Sequence, residues 1–263
     1  MSPAEAIRAL GAGRLEGRTA LVFAHPDDET AAVGGIMDRL SEPVLIVVTD
    51  GAPLEMGDAE RAGFATREAY AEARAAELDA ALRALGVAPE RRSLELTDQA
   101  AVEHMAALSR TLSEALDGCT AVITHPYEGG HPDHDACAFA VQAACSLMAR
   151  PPARLEAPFY RGTAGGERVV GRFQPAFDCP ETTFTLSPER LAAKTAALAA
   201  HRSQAAVMAW FDPTVERLRP APDYDFTQPA GEAALYDSWG WALTSDSWRQ
   251  HARAALAELG LAA

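Results

Sequence analysis

The chain has 263 residues, 48% hydrophobic and 23% charged, an ordinary soluble composition with length enough for one large α/β domain, taken as residues 1–263. A formal net charge of -14 and a pI near 4.9 argue against nucleic acid or an anionic membrane as partner. No basic and apolar leader opens the chain and no apolar run reaches membrane-spanning length, so a cytoplasmic protein without membrane insertion is expected. Cys119, Cys137, Cys145 and Cys179 form no close CxxC pair and read as reduced thiols.

After a short Ala/Glu/Arg helix candidate at the start, residues 19–23 form a compact apolar run that reads as a buried central strand. Directly behind it stands Ala24-His25-Pro26-Asp27-Asp28-Glu29, a histidine and adjacent carboxylates at a strand end. In open α/β sheets that edge binds ligands. Pro26 fixes its own φ and favours an extended His25. A helix is expected over 29–40, with Gly34-Gly35 allowing close approach to the sheet. Residues 44–49 are the clearest buried strand, closed by Asp50-Gly51-Ala52-Pro53. Residues 54–65 read as a mobile loop over the sheet edge, and 66–85 as a long helix stopped by Gly86. A weaker strand over 93–96, a helix over 99–116 and a strand over 120–124 follow.

Behind that last strand comes a Gly-rich connection and a second cluster, His131-Pro132-Asp133-His134-Asp135, with a helix over 134–148. Strand-helix alternation predicts a mostly parallel sheet with helices on both faces. From 151 onward short β/α elements replace that rhythm. Strands are expected over 155–160, 168–173 and 182–186, then a helix opened by Ser187-Pro188-Glu189 and running to about 211. Residues 212–231 read as loop and 246–259 as a last helix before Gly260. His104 and His251 read as structural or surface residues, and Trp239, Trp241 and Trp248 as core or surface packing ahead of the lining of a sugar or acyl pocket.

Taken alone, His25-Pro26-Asp27-Asp28 also suits a capped helix start, in which Asp27 or Asp28 accepts amide hydrogen bonds. A second His-Pro-Asp motif behind another strand favours a metal site of imidazoles and carboxylates without thiolate. No Gly-x-Ser-x-Gly elbow, dinucleotide fingerprint or Walker-type loop competes with it.

The two motifs together resemble the PIG-L (LmbE-like) family of zinc-dependent N-deacetylases. Weaker similarity lies in Arg74-Ala75-Ala76-Glu77, like the family's Arg-x-x-Glu helix, and in Lys194 with His201-Arg202-Ser203-Gln204. The resemblance implies a Rossmann-like fold holding one Zn²⁺ on His25, Asp28 and His134, with Asp27 as general base. It further implies His131, protonated, stabilising the oxyanion or assisting protonation of the leaving group, with Asp133 orienting His131 and with Arg74 and Asp98 touching substrate. Fe²⁺ and Co²⁺ suit the same donor set. The implied reaction is deacylation of an N-acyl amine, foremost an N-acetylglucosamine-type sugar or glycoconjugate. A non-sugar N-acyl metabolite, or a non-catalytic binding module with a structural metal, are the alternatives. Some sugar-deacetylating members carry a Tyr two residues before the second motif. Here that position is Gly129, so Tyr127 is the expected substitute, and Asp135 stands where a basic residue is common. Whether the chain forms a homo-oligomer stays open.

Overall fold

In the computed structural model, which describes residues 1–175 and 179–262, the chain runs in this order. Helix α1 (Pro3–Gly11) leads into β1 (Leu15–Phe23), α2 (Asp28–Val33), β2 (Leu40–Pro53), α3 (Gly57–Arg61), α4 (Arg67–Leu85) and β3 (Glu90–Asp98). Then come α5 (Met105–Ala115), β4 (Ala121–Thr124), α6 (Pro132–Leu147), β5 (Ala153–Glu156), β6 (Tyr160–Gly162), β7 (Arg168–Val170) and β8 (Thr182–Thr185). Helices α7 (Pro188–Ala200) and α8 (Ala205–Met208), strand β9 (Val215–Pro220) and helix α9 (Ser245–Leu259) complete it.

Among the described residues the main sheet has the order β3-β2-β1-β4-β5-β9-β8. Strands β1 to β5 pair in parallel, while β9 and β8 add an antiparallel margin. Strand period sends alternate side chains to opposite faces. Leu21, Phe23, Leu45 and Val47 therefore join one apolar cluster, whereas Ala20, Val22, Val44 and Ile46 join the other. Helices cover both faces, as the near-continuous apolar strands required. Strand β1 has β2 on one side and β4 on the other, with Leu21 opposite both Leu45 and Ile123. Chain leaving β1 and chain leaving β4 thus emerge side by side at a topological switch point.

Several expected elements end sooner than their sequence suggests. The helix after β1 stops at Val33, because Gly35 packs where a Cβ would stand 2.3 Å from Leu186 and its N–H donates to Glu216 at 2.5 Å. Gln99 takes a left-handed φ of 71°, so helix α5 begins only after a short 3-10 turn over Ala101–His104. The helix opened by Ser187 breaks at His201, whose ψ of 66° is not helical. Residues 54–65, read as loop, contain α3, and residues 212–231 contain β9. Thr66 and Gly86 do cap α4, the latter left-handed at φ 70°. All four cysteines are free thiols, and no helix among the described residues is long and apolar enough to cross a membrane.

Candidate active site

Asp27 begins α2 without making a side-chain cap, which sets aside the plain helix-capping role for that residue. Asp28 instead folds back, its Oδ2 accepting the His25 N–H at 2.8 Å. This local loop puts the His25 ring and the Asp28 carboxylate together, and β4 delivers His134 from the first turn of α6. His25 Nδ1 lies 3.2 Å from His134 Nε2 and 3.2 Å from Asp28 Oδ2. His134 Nε2 lies 3.4 Å from Asp28 Oδ1. Ligands about 2.0–2.1 Å from a tetrahedral metal stand roughly 3.3–3.4 Å from one another. Two imidazole nitrogens and a carboxylate at this spacing suit a divalent metal. The trio lies inside a wider His/Asp cluster able to hold one, in which His25, His131 and His134, and likewise Asp28, His125 and His134, bring ligand atoms close together.

The surroundings orient that trio. His25 Nε2–H donates to Asp98 Oδ1 at 3.1 Å, the carboxylate-histidine arrangement that fixes ligand tautomer and ring angle in metal sites. Asp98, expected to touch substrate, thus has His25 as its nearest partner. Burial opposes charge on His25, but Asp98 and Asp28 outweigh it and raise the imidazole well above its ordinary range. For Asp28, burial is likewise outweighed, here by the rings of His134, His25 and His125, and the carboxyl is held well below the usual range.

His131 Nδ1 accepts the Asp133 N–H at 3.2 Å, so the ring proton sits on Nε2, which lies 4.0 Å from Asp98 Oδ1. Burial and the neighbouring His25 push His131 well below its ordinary range. Both effects favour a neutral ring donating from Nε2, where a protonated ring was expected. The Asp133 carboxylate does not orient it. Its oxygens accept the N–H groups of Gln99 at 2.6 Å and Ala101 at 3.2 Å, pinning the turn that carries Asp98 and holding Gln99 left-handed.

Arg74, from α4, donates to Asp27 Oδ2 at 2.6 Å and to the carbonyl of Gly51. The guanidinium passes so close that a Cβ on Gly51, already at φ +69°, would stand 2.5 Å from Arg74 Nη1. Only glycine suits that position. Further back, the Lys194 to Gln204 segment buttresses the site. Lys194 Nζ donates to Ala31 O at 2.9 Å and Glu216 Oε1 at 2.8 Å, His201 Nε2 lies 3.2 Å from Thr30 Oγ1, and Ser203 bonds Glu77.

His25, Asp27, Asp28, Arg74, Asp98, His131 and His134 all border one cavity of about 300 Å³. Tyr127 does not. Its ring stacks on Trp248 at 5.1 Å in the core beneath, and its hydroxyl donates to Gln228 O at 2.9 Å. Asp135, two residues beyond Asp133, turns inward too, accepting the amides of Glu128 and Gly129 at 3.1 Å. We therefore expect Tyr127→Phe to leave kcat/KM within about twofold and to cost stability only the roughly 0.5–1.5 kcal/mol of one hydrogen bond. A large rise in KM in steady-state assays would return Tyr127 to the site.

One feature was missed in the sequence, and a second, the place of the tryptophans, was weighted towards packing. His125 is fully buried, stacks on His134 at 4.0 Å, and its Nε2 accepts the Ala24 N–H at 3.0 Å. Thr124-His125-Pro126, a His-Pro pair directly behind a strand, was the available signal. Trp239 and Trp241 border the cavity beside His131, and only Trp248 is core.

Residues 20–145 match the model of the GlcNAc-PI de-N-acetylase family, PIG-L. The probable N-acetyl-alpha-D-glucosaminyl L-malate deacetylase 2 of Bacillus cereus is 30% identical over 205 residues, covering 74% of this chain and 86% of that protein. Among solved structures, the A40926 pseudoaglycone deacetylase Dbv21 superposes with a TM-score of 0.60 at 19% identity, covering 80% of this chain and 98% of that one. The deacetylase-teicoplanin complex gives 0.61 at 17%, covering 79% and 100%. At such identity the structural likeness speaks for the fold alone. Site and sequence relative together define the class, an amide-hydrolysing enzyme with a His/Asp cluster able to hold a metal. The chain belongs to the GlcNAc-PI de-N-acetylase (PIG-L) family.

Proposed function

We propose that this enzyme is a zinc-dependent N-deacetylase that removes the acetyl group from an N-acetylglucosamine-type sugar or glycoconjugate. The observation that carries the reading is the approach of His25 Nδ1, His134 Nε2 and the two Asp28 carboxylate oxygens to 3.2–3.4 Å of one another at the cavity. The sugar class is supported by the family and by the substrate named for the Bacillus cereus relative. His25, Asp28 and His134 would hold the zinc, which when bound would lower the pKa of a water to about 7 and polarise the amide carbonyl.

The remaining chemistry belongs to this chain. Asp27 borders the cavity with one oxygen fixed by Arg74, so its carboxylate is aimed and able to take a proton from the attacking water. As the carbonyl carbon becomes tetrahedral, the Nε2–H of His131 donates to the developing oxyanion. Neutral donation suffices, since a fixed dipole in a water-poor cavity needs no reorganisation. When the C–N bond breaks, Asp27 returns the proton to the leaving amine. Once the new acid has given up its own proton to the amine, acetate and the protonated amine result, with Asp27 again a carboxylate.

Chelation tests the reading. Purified protein is expected to carry about one metal per chain, to lose amine release from N-acetylglucosamine conjugates when the metal is stripped, and to regain it with added Zn²⁺. Undiminished amine release from metal-free protein would overturn it.

A further inference from the structure

We infer that the physiological substrate carries an apolar group, alkyl or aromatic, next to its scissile amide, and not a second anionic group such as malate. The inference rests on the deacetylase reading and names the substrate class of that same cavity.

Above the metal-competent floor the cavity wall is apolar on two sides. One side is Val207, Met208, Trp210 and Phe211, from α8 and the turn after it. Across from His131 stand Trp239 and Trp241, their rings packed edge to face at 4.7 Å, with Trp241 5.5 Å from the His131 ring. Gly240, at φ +75°, makes the tight turn that presents both indoles from one loop. These side chains are half-buried, apart from the buried Met208, so they stay open to a ligand instead of closing on each other.

The charges point the same way. The lining guanidiniums are Arg61, in an exposed pair with Asp58 at the rim, and Arg74, buried against Asp27. Arg168 lies 3.4 Å from the centre of the Trp210 ring but does not line the cavity. The carboxylates of Asp27, Asp28 and Asp98 face the imidazoles and the metal position, so they are matched by positive charge at the floor and not along the indole wall. A substrate carboxylate held against the indole wall would find no buried guanidinium to pair with, since Arg74 is taken by Asp27, and burying an unpaired charge is costly. An apolar group would shed water against indole and thioether surfaces. The relative named for an L-malate conjugate therefore differs from this chain at the part of the substrate beyond the sugar.

The apolar group can sit on the amine side, as an aglycone, or on the acyl side, as a longer chain. Values of kcat/KM compared for N-acetylglucosamine, its phenyl and hexyl glycosides, N-hexanoylglucosamine and the malate glycoside separate the two. At least one apolar compound is expected to exceed both N-acetylglucosamine and the malate glycoside by roughly tenfold or more, the range a hydrophobic pocket supplies. Glycosides ahead place the group on the amine side; N-hexanoylglucosamine ahead places it on the acyl side. Trp241→Ala and, independently, Val207→Asp should shrink that preference several-fold, while Trp241→Phe retains most of it. Equal values across the series, or preference for malate, would overturn the inference. If no compound is hydrolysed, the deacetylase reading fails by itself, and calorimetric binding then decides this one. Tighter binding of the phenyl or hexyl compounds than of the malate glycoside supports the apolar wall, and equal or weaker binding rejects it.

Discussion

Asp27→Asn should lower kcat by about 10²- to 10⁴-fold while bound metal stays near one per chain, the range lost when a positioned proton acceptor is removed. The substitution changes little in shape. Asn keeps an oxygen able to accept from Arg74 Nη2, which now lies 2.6 Å from the carboxylate. It cannot hold the water's proton, and it removes the negative charge facing a buried guanidinium. The second effect could lower stability and mimic a catalytic loss, so urea unfolding must accompany the kinetics. Reduced kcat with unchanged metal content and a modest shift in unfolding midpoint assigns the base to Asp27. Turnover within a few-fold of the native enzyme would remove that role.

Lys194→Met should cost about 3–5 kcal/mol of unfolding free energy, the range for breaking one partner of a buried ion pair. Both side chains are essentially inaccessible, at 1% and 0% exposure, so the discount applied to surface pairs does not hold here. Glu216 Oε1 accepts from Lys194 Nζ at 2.8 Å and from the Gly35 N–H at 2.5 Å, while Ala31 O takes another Lys194 proton. The pair thereby ties the far end of α2 to β9, and the near end of α2 carries Asp28. Methionine fills the volume but leaves Glu216 charged and uncompensated. Metal affinity should fall along with stability, because the helix bearing one ligand loses its fastening. Adding Glu216→Gln should recover much of the loss, since the remaining buried group is neutral. A cost below about 1 kcal/mol in denaturant unfolding, typical of an exposed pair, would show that the tie is not stabilising.

The same pair explains one misreading of the sequence. Strand β9 reads Val-Glu-Arg-Leu-Arg-Pro, which resembles a solvated loop. Yet Glu216 and Arg219 are buried, paired respectively with Lys194 on α7 and Glu156 on β5. A charged residue whose partner lies 22 or 63 positions away carries no local sign of burial. Helix ends at Val33 and Ala200 were hidden for a related reason. Gly34-Gly35 and His201 break otherwise helical sequence through contacts with Leu186, Glu216 and Thr30, which come from other elements.

The sequence by itself determined the parallel strand-helix core, the capped long helix and the two His-Pro-Asp turns. These follow from short-range physics: apolar periodicity, capping residues, proline's fixed φ and strand ends at a sheet edge. Tertiary structure decided how those pieces act on one another. Pairing of β1 with both β2 and β4 brought His25 and Asp28 to His134. It set Asp98 behind His25, assigned Asp133 to the backbone of Gln99 and Ala101, withdrew Tyr127 into the core and turned Trp239 and Trp241 towards the cavity. Such roles depend on which atoms approach from segments tens of residues away, and the distances that decide them exist only once the sheet has closed.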